Sequence, residues 1–185
     1  VLAGLAVGLA LVYWALPRWL VTPESATPPP AVSPKPPTIV RVVPGTLFTV
    51  SPDGAALTAW TRDIPLGATP AEQARLAVEA ELATAAATDG RVSPIPTGVS
   101  VRHVFLTPRG EAYVDLSREI ISGHPGGSLN ETLTVYAIVH ALAANVRGIT
   151  AVQILVEGRQ VDTLAGHIDL RQPLTADPRW VQKGP

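Results

Sequence analysis

A proline-rich stretch limits the fold more than any other feature. Residues 22–38, TPESATPPPAVSPKPPT, hold seven prolines in 17 positions. Proline fixes φ and lacks a backbone N–H, so this stretch cannot join a helix or a sheet and is expected to be extended. At about 3.1 Å per residue it would reach about 50 Å. We therefore predict a linker, with a proline-rich recognition motif as the alternative.

The segment before the linker is strongly apolar. Residues 1–16 carry no charge, and the apolar character continues beyond Arg18. A helix over residues 1–21 would be about 31 Å long, close to the roughly 30 Å of a membrane's hydrocarbon core. Tyr13, Trp14 and Trp19 lie near one end, as interfacial aromatic residues do. We predict an uncleaved, single-pass transmembrane anchor, and a cleaved signal peptide is the alternative.

Charge and cysteine content exclude several classes of function. The formal net charge is −1, and the 14 Lys and Arg residues are scattered, which predicts that nucleic acid is not a partner. The chain has no cysteine. Disulfides, thiolate metal sites, cysteine nucleophiles and a lipid-modified cysteine are therefore excluded.

Residues 39–175 have the pattern of a folded domain, followed by a C-terminal tail at 176–185. Turn residues at 52–54 and 108–110 predict two β-hairpins. Residues 152–158, VQILVEG, predict a further strand that turns at Glu157-Gly158-Arg159 into a short one. The predicted order is hairpin, helix, hairpin, helix, strand and short strand.

Two capping-box patterns mark the helices. Thr69, Pro70 and Glu72 predict the start of an alanine-rich helix whose apolar positions are Leu76, Val78, Ala80 and Leu82. Ser128 and Glu131 predict a second capping box. The apolar stripe of that second helix is Leu129, Leu133, Tyr136, Val139, Leu142 and Val146, and Arg147-Gly148 ends it.

The expected class is α+β, a small sheet of hairpins with two helices packed on one face. In the second hairpin, Ala112, Val114 and Leu116 alternate with more polar residues. We expect the three apolar residues to face the helices. The alternate residues, Glu111, Tyr113 and Asp115, are then expected to face a partner.

Three stretches together resemble the GerMN domain family of sporulation and spore-germination proteins. They are AYVDLS at 112–117, VQILVEG at 152–158 and GHIDL at 166–170, and the resemblance covers about residues 46–175. It implies an extracytoplasmic module on a membrane or lipid anchor, working in cell-envelope complexes without enzymatic chemistry. The helix–hairpin–helix–strand order is also similar to ring-building motifs of membrane-associated oligomeric rings.

The sequence also departs from that family in three respects. Some members carry two modules and this chain has one. Residues 1–185 contain no cysteine, so no lipid anchor is expected on them, and the loop at residues 87–97 differs from the usual Gly-Pro-containing connection.

Histidines are the residues to test for catalysis. His103 and His140 are predicted to be structural, and His124 lies in a glycine-rich turn that lacks the lysine of a phosphate-binding loop. His167 and Asp169 are two residues apart, so in an extended segment their side chains could meet. No nucleophile motif or zinc-protease motif accompanies them.

We expect His167 and Asp169 to bond to backbone or to each other, and so to fix a C-terminal strap to the sheet. The prediction is a protein that is not an enzyme, with no catalytic, cofactor-binding or metal-binding residue. A hydrolase is the least favoured alternative.

Taken together, these features predict an assembly or protein-interaction module on the extracytoplasmic side of the cell membrane. Its expected partners are the membrane, through residues 1–21, and envelope proteins or further copies of itself. A role in sporulation or germination comes from the resemblance alone. The alternative is a peptidoglycan-binding module, for which Tyr113 and Trp60 are the available aromatic residues.

Overall fold

A computed structural model describes residues 41–182. The predicted anchor at 1–21 and linker at 22–38 lie outside the described residues. Over 41–182, no helix has the length and apolar character needed to cross a membrane.

Residues 41–182 form six strands, three α-helices and two short 3₁₀ turns. In chain order the elements are β1 (Val42–Val50), β2 (Leu57–Pro65), α1 (Pro70–Leu82), a 3₁₀ turn (Ala83–Ala86), β3 (Val101–Leu106), β4 (Glu111–Leu116), α2 (Glu119–Ser122), α3 (Ser128–Asn145), β5 (Ala151–Val156), β6 (Arg159–Gln160) and a 3₁₀ turn (Pro178–Trp180). The predicted α+β class and the predicted element order are confirmed, and α2 is an additional short helix.

The two hairpins lie in separate sheets. Strands β1 and β2 form a two-stranded sheet, whereas the second sheet has the order β3-β4-β5-β6. Within that sheet β4 and β5 are parallel and the other pairs are antiparallel. A parallel neighbour needs a crossover connection, and α3 lies in that connection.

Strand β1 cannot continue into the second sheet because its outer edge is already occupied. The Thr46 N–H donates to Asn145 Oδ1 at 2.8 Å, and the Phe48 N–H donates to Glu81 Oε2 at 2.9 Å. The Val50 N–H donates to a loop carbonyl, that of Val92, at 2.8 Å. Backbone groups that are satisfied in this way offer no pairing site to another strand.

The capping box predicted at α1 is present with one change. The Glu72 N–H donates to Thr69 Oγ1 at 3.2 Å, as predicted. The Glu72 carboxylate accepts from the N–H of Ala68, at 2.7 Å, instead of from the N–H of Thr69. Both bonds satisfy backbone donors at the start of the helix, which is the physical basis of such a cap.

The capping box predicted at α3 is wrong. The N-cap residue is Gly127, with φ of 88°, and no side chain caps the helix there. Ser128 is already the first helical residue. Glu131 is fully buried and bonds to a distant loop instead, because that loop supplies several donors.

Helix α3 is buried on nearly all sides instead of carrying one apolar stripe. Every residue from 131 to 142 except Tyr136 is buried, including Thr132, Thr134 and His140. Of the predicted stripe, Leu133, Val139, Leu142 and Val146 lie in the core, Tyr136 is half-buried, and Leu129 is exposed. A helix that is buried on nearly all sides is enclosed by other elements instead of lying on the surface.

The segment predicted as a C-terminal tail packs against the domain as far as Gln182. Val181 forms a parallel bridge with Leu57, and the Gln182 N–H donates to the Leu57 carbonyl at 2.7 Å. The rings of Trp180 and Tyr136 lie 6.0 Å apart between centroids. These contacts fix the segment to the first hairpin and to α3.

Candidate interaction surface

The two faces of the four-stranded sheet differ in chemistry. Ala112, Val114 and Leu116 of β4 are fully buried in the core that includes the helices. Strand residues alternate between faces, so Glu111, Tyr113 and Asp115 point the other way. We call the face opposite the core the outer face. The predicted division of β4 between core and outer face is confirmed.

Aromatic side chains occupy the outer face at the sheet edge. Phe105 of β3 lies directly opposite Tyr113 of β4. The Phe105 residue is 57% exposed, and Tyr113 is half-buried. His103 stacks on Phe105 with ring centroids 5.9 Å apart and an interplanar angle of 17°. An exposed aromatic residue on a pre-formed surface is typical of binding sites.

Asp115 does not contribute to this exposed surface, in contrast to the prediction. Its side chain is buried, and Oδ1 accepts from the Gly158 N–H at 2.7 Å. Its Oδ2 accepts from Arg102 Nε at 3.2 Å and lies 3.4 Å from His103 Nδ1. Burial alone would raise the pKa of Asp115, but the bonds from Gly158, His103 and Arg102 outweigh it and lower the pKa.

The consequence is a structural role for Asp115. The Asp115 carboxylate ties the turn between β5 and β6 to β4 and β3. At that turn Glu157 and Gly158 have φ of 52° and 75°. Two successive positive φ values are typical of a type I′ hairpin turn, whose outward N–H groups can then meet a carboxylate.

His167 and Asp169 are not brought together. Both are exposed, and Asp169 forms a bidentate pair with Arg171 at 2.9 and 2.8 Å and accepts from the Arg171 N–H at 3.0 Å. The Arg171 guanidinium lowers the pKa of Asp169 to about 2. His167 uses its backbone N–H, which donates to Glu131 at 2.8 Å. Of the two side chains, only that of Asp169 makes the expected bond to backbone, and its partner Arg171 is two residues away. The His167 ring has no hydrogen-bond partner within residues 41–182, and no bond joins the two side chains there.

The surface around His167 is an open depression of about 260 Å³. Its lining includes Asp162, His167, Asp169 and Arg171. Over the described part of the chain, no cluster of three or more His, Asp or Glu side chains is placed to hold a metal ion. The absence of a catalytic residue stays a prediction.

The other histidines have specific partners. His124 Nδ1 accepts from the Gly126 N–H at 2.9 Å, and its Nε2 lies 3.2 Å from Thr134 Oγ1. His140 Nε2 lies 3.0 Å from the carbonyl of Asp177. Burial lowers the pKa of both His124 and His140. These contacts give the glycine-rich turn and the C-terminal segment fixed attachments.

Trp60 is less available for stacking than the sequence suggested. It is half-buried, and the guanidinium of Arg91 lies over its ring at 4.1 Å from the centroid. Arg91 belongs to the loop at 87–97 that departs from the family pattern. One face of the indole is therefore already covered, and Phe105 is the more exposed aromatic residue.

Phe105 is the residue that the sequence did not reveal as part of the surface. A β-bulge lies between Val101 and His103, so the simple alternation along β3 is interrupted. The exposed residues of β3 are Arg102, His103 and Phe105, a pattern without period two. The sequence signal that could have predicted the Phe105–Tyr113 pairing is the distance of each residue from the turn at 107–110.

The fold and this surface define a single α+β module, and comparison with known proteins gives its class. The model of the Germane family, described as "Sporulation and spore germination", matches residues 46–162. The chain therefore belongs to this family, and the predicted GerMN assignment is confirmed.

Solved structures with the same fold include three relevant relatives. The "Putative Lipoprotein" of Clostridium perfringens shares 18% identity at a TM-score of 0.53, over 74% of this chain and 89% of that chain. The tandem GerMN domains of the Bacillus subtilis sporulation protein GerM share 19% identity at a TM-score of 0.54, over 74% of this chain and 46% of that chain.

The first GerMN domain of the same GerM protein shares 17% identity at a TM-score of 0.54, over 72% of this chain and 97% of that chain. Among curated protein sequences, none matches the chain. At these identities the likeness establishes the fold.

Proposed function

We propose that this protein is a membrane-anchored GerMN domain that acts on the extracytoplasmic side as a protein-interaction or assembly module of the bacterial envelope. The observation that carries the proposal is the outer face, where Phe105, His103 and Tyr113 form an aromatic surface on a rigid sheet. The family description and the names of the GerM and lipoprotein relatives support a sporulation-related envelope setting.

The chemistry of the outer face favours a protein partner. Phe105 provides apolar area, His103 and Tyr113 add polar groups beside it, and Arg109 and Glu111 form a weak ion pair at 3.7 Å nearby. A central aromatic residue with a polar surround is the usual arrangement of a protein interface. No enzymatic activity is proposed, and the separation of His167 from Asp169 supports that choice.

The location is tested by fractionation of cells that produce the full chain. We expect the intact chain in the membrane fraction, with residues 39–185 protected from protease until the outer side is opened. A soluble form that begins near Thr22 would contradict the anchor and establish a cleaved signal peptide.

The surface is tested by comparing two alanine variants in a capture experiment from envelope extracts. Tyr113→Ala should weaken capture of the partner by about 1–2 kcal/mol, and Phe105→Ala by at least as much because Phe105 is more exposed. Both variants should keep the domain stability. A photo-crosslinking residue at position 105 should label the partner, and one at exposed Ala55 should not.

Leu142→Ala serves as the opposite control. Leu142 is fully buried in α3, so its truncation should cost about 2–5 kcal/mol of folding free energy in urea unfolding. Wild-type capture by both Tyr113→Ala and Phe105→Ala would show that the outer face is not the partner surface, while the fold assignment would stand.

Peptidoglycan is the alternative ligand, because exposed aromatic rings such as Phe105 can also stack on sugars. Co-sedimentation of the full chain with purified peptidoglycan separates the two functions. We expect the chain to stay in the supernatant. Binding that Phe105→Ala abolishes would replace the protein-interaction proposal with a wall-binding one.

A further inference from the structure

Among residues 41–182, most of the outer edge of β2 has no hydrogen-bond partner, in contrast to that of β1. The N–H groups of β1 that point away from β2 belong to Thr46, Phe48 and Val50. In an antiparallel pair, the backbone N–H and C=O groups of the residues opposite them on β2 therefore also point away from the hairpin. The register pairs these three with Thr61, Ala59 and Leu57. Ala59, Thr61 and Asp63 are exposed, and none of their backbone groups has a hydrogen-bond partner beyond β1 among residues 41–182.

This open edge has two ends that are equally far from Thr61. At one end, the Leu57 carbonyl already accepts from the Gln182 N–H. At the other end, Pro65 has no N–H to donate. Within the described part of the chain, the segment without partners is therefore residues 59–63, with Thr61 at its centre. An edge that is symmetric about one residue is suited to an isologous contact, in which two copies use the same patch.

We propose that β2 of a second copy of this chain pairs with this edge in antiparallel orientation, with Thr61 opposite Thr61. Ala59 of each copy then lies opposite Asp63 of the other. In antiparallel pairs of this kind each opposed pair exchanges two backbone hydrogen bonds, so every free group from Ala59 to Asp63 gains a partner. The two hairpins become one continuous four-stranded sheet across the two-fold axis.

Side chains favour this register over its neighbours. Trp60 of one copy lies opposite Arg62 of the other, and the side chains of such intervening pairs approach closely. An arginine beside an indole is a favourable pair. A shift of two residues one way would oppose Arg62 to Arg62, which is repulsive. The opposite shift would require the edge at Leu57, which Gln182 occupies.

A cysteine scan along β2 tests the pairing, and the cysteine-free background makes it specific. At the two-fold axis the Thr61 Cα atoms would be about 5.5 Å apart, within the range of a disulfide. We expect full-length Thr61→Cys, in detergent with mild oxidant, to form a disulfide-linked dimer whose cross-link reductant cleaves. Asp63→Cys should form no covalent dimer, because its two copies would be about 13 Å apart along the strands.

Mixing Ala59→Cys with Asp63→Cys should restore cross-linking, and neither variant alone should give it. The same full-length chain without cysteine should show a concentration-dependent dimer in sedimentation equilibrium. Thr61→Lys should raise the dimer dissociation constant by about tenfold or more, because two lysines would face each other. Equal cross-linking of Thr61→Cys and Asp63→Cys, or a wild-type chain that is monomeric at all concentrations, would overturn the proposal.

Discussion

Two glutamates are fully buried in this domain, and their surroundings give them opposite chemistry. Glu131 of α3 accepts hydrogen bonds from Thr163 Oγ1 and from the N–H groups of Leu164 and His167, the last two at 2.8 Å. Glu81 of α1 accepts one bond, from the Phe48 N–H, and its Oε1 has no partner among the described residues.

The protonation state of each glutamate follows the number of hydrogen-bond donors around its carboxyl group. Burial would raise the pKa of Glu131, but the bonds from Thr163 and from the loop's N–H groups outweigh burial, and its pKa lies below the usual value. Burial raises the pKa of Glu81 to about 8, because the single Phe48 bond does not compensate. Glu131 is therefore an anion at neutral pH and Glu81 is largely a neutral acid.

The difference shows two uses of a buried carboxyl group. Glu131 replaces the hydrogen bonds that the 163–167 loop would otherwise make with water, so the loop and α3 depend on one another. Glu81 closes the edge of β1 with one bond at the cost of keeping an acid out of water. The first group stabilises at neutral pH, and the second limits stability there.

The largest expected effect is from Glu131→Ala. Removing the carboxylate leaves the buried Leu164 N–H and the Thr163 hydroxyl without their acceptor, and the His167 N–H keeps only Thr163 Oγ1. We therefore expect a loss of about 3–5 kcal/mol of unfolding free energy. Urea unfolding followed by circular dichroism measures it. Glu79→Ala, at a surface position paired only with Arg75, should change stability by less than about 0.5 kcal/mol.

The pH dependence of Glu131 gives a second check. Its folded pKa is lowered, so its contribution is present above the unfolded value of about 4.5 and is lost as pH falls below it. The stability difference between wild type and Glu131→Ala should therefore shrink under acid conditions. A difference that is unchanged from pH 7 to pH 3 would mean that the carboxylate charge contributes nothing.

A smaller effect, of opposite sign, is expected from Glu81→Gln. The pKa of Glu81 in the folded protein, about 8, exceeds the ordinary glutamate pKa of 4.5 that applies to the unfolded chain. Wild-type stability should therefore fall as pH rises from 4.5 to 8. Glutamine keeps an acceptor for the Phe48 N–H and does not ionise. We expect it to raise the unfolding free energy at pH 7.5 by about 1–3 kcal/mol.

At pH 4 the Glu81→Gln variant should match the wild type, because Glu81 is protonated in the folded state there and mostly protonated in the unfolded state. Unfolding curves at several pH values between 4 and 8 provide the test. If Glu81→Gln is neutral or destabilising across that range, Glu81 is not held as an acid and the contrast with Glu131 fails.

A structural feature was predictable from the sequence when the residues that form it lie close together along the chain. The hairpins, the two long helices and the α+β class rest on turn residues and on periodicity within about ten residues, and they were predictable. The buried role of Asp115 was not, because its partner Gly158 lies 43 residues away. The separation of the hairpins into two sheets likewise depends on Asn145 and Glu81, far from β1 in sequence.

The candidate surface shows the same limit. Tyr113 was predictable from alternation along β4, but Phe105 was hidden by the bulge in β3. The two capping boxes make the point most directly, because Thr69-x-x-Glu72 and Ser128-x-x-Glu131 have the same local pattern. The first forms a cap, and the second does not because the 163–167 loop takes its glutamate.

The smallest expected effect on stability is the difference between alanine substitutions at Thr69 and at Ser128. Thr69→Ala removes the acceptor for the Glu72 N–H and should cost about 1 kcal/mol, the usual value for an N-cap. Ser128→Ala removes a side chain that makes no capping bond and is exposed, so it should stay within about 0.5 kcal/mol of the wild type. Both are measured by urea unfolding under one set of conditions. An equal loss in the two variants would mean that Ser128 caps α3 in solution and that Glu131 divides its bonds between the helix start and the 163–167 loop.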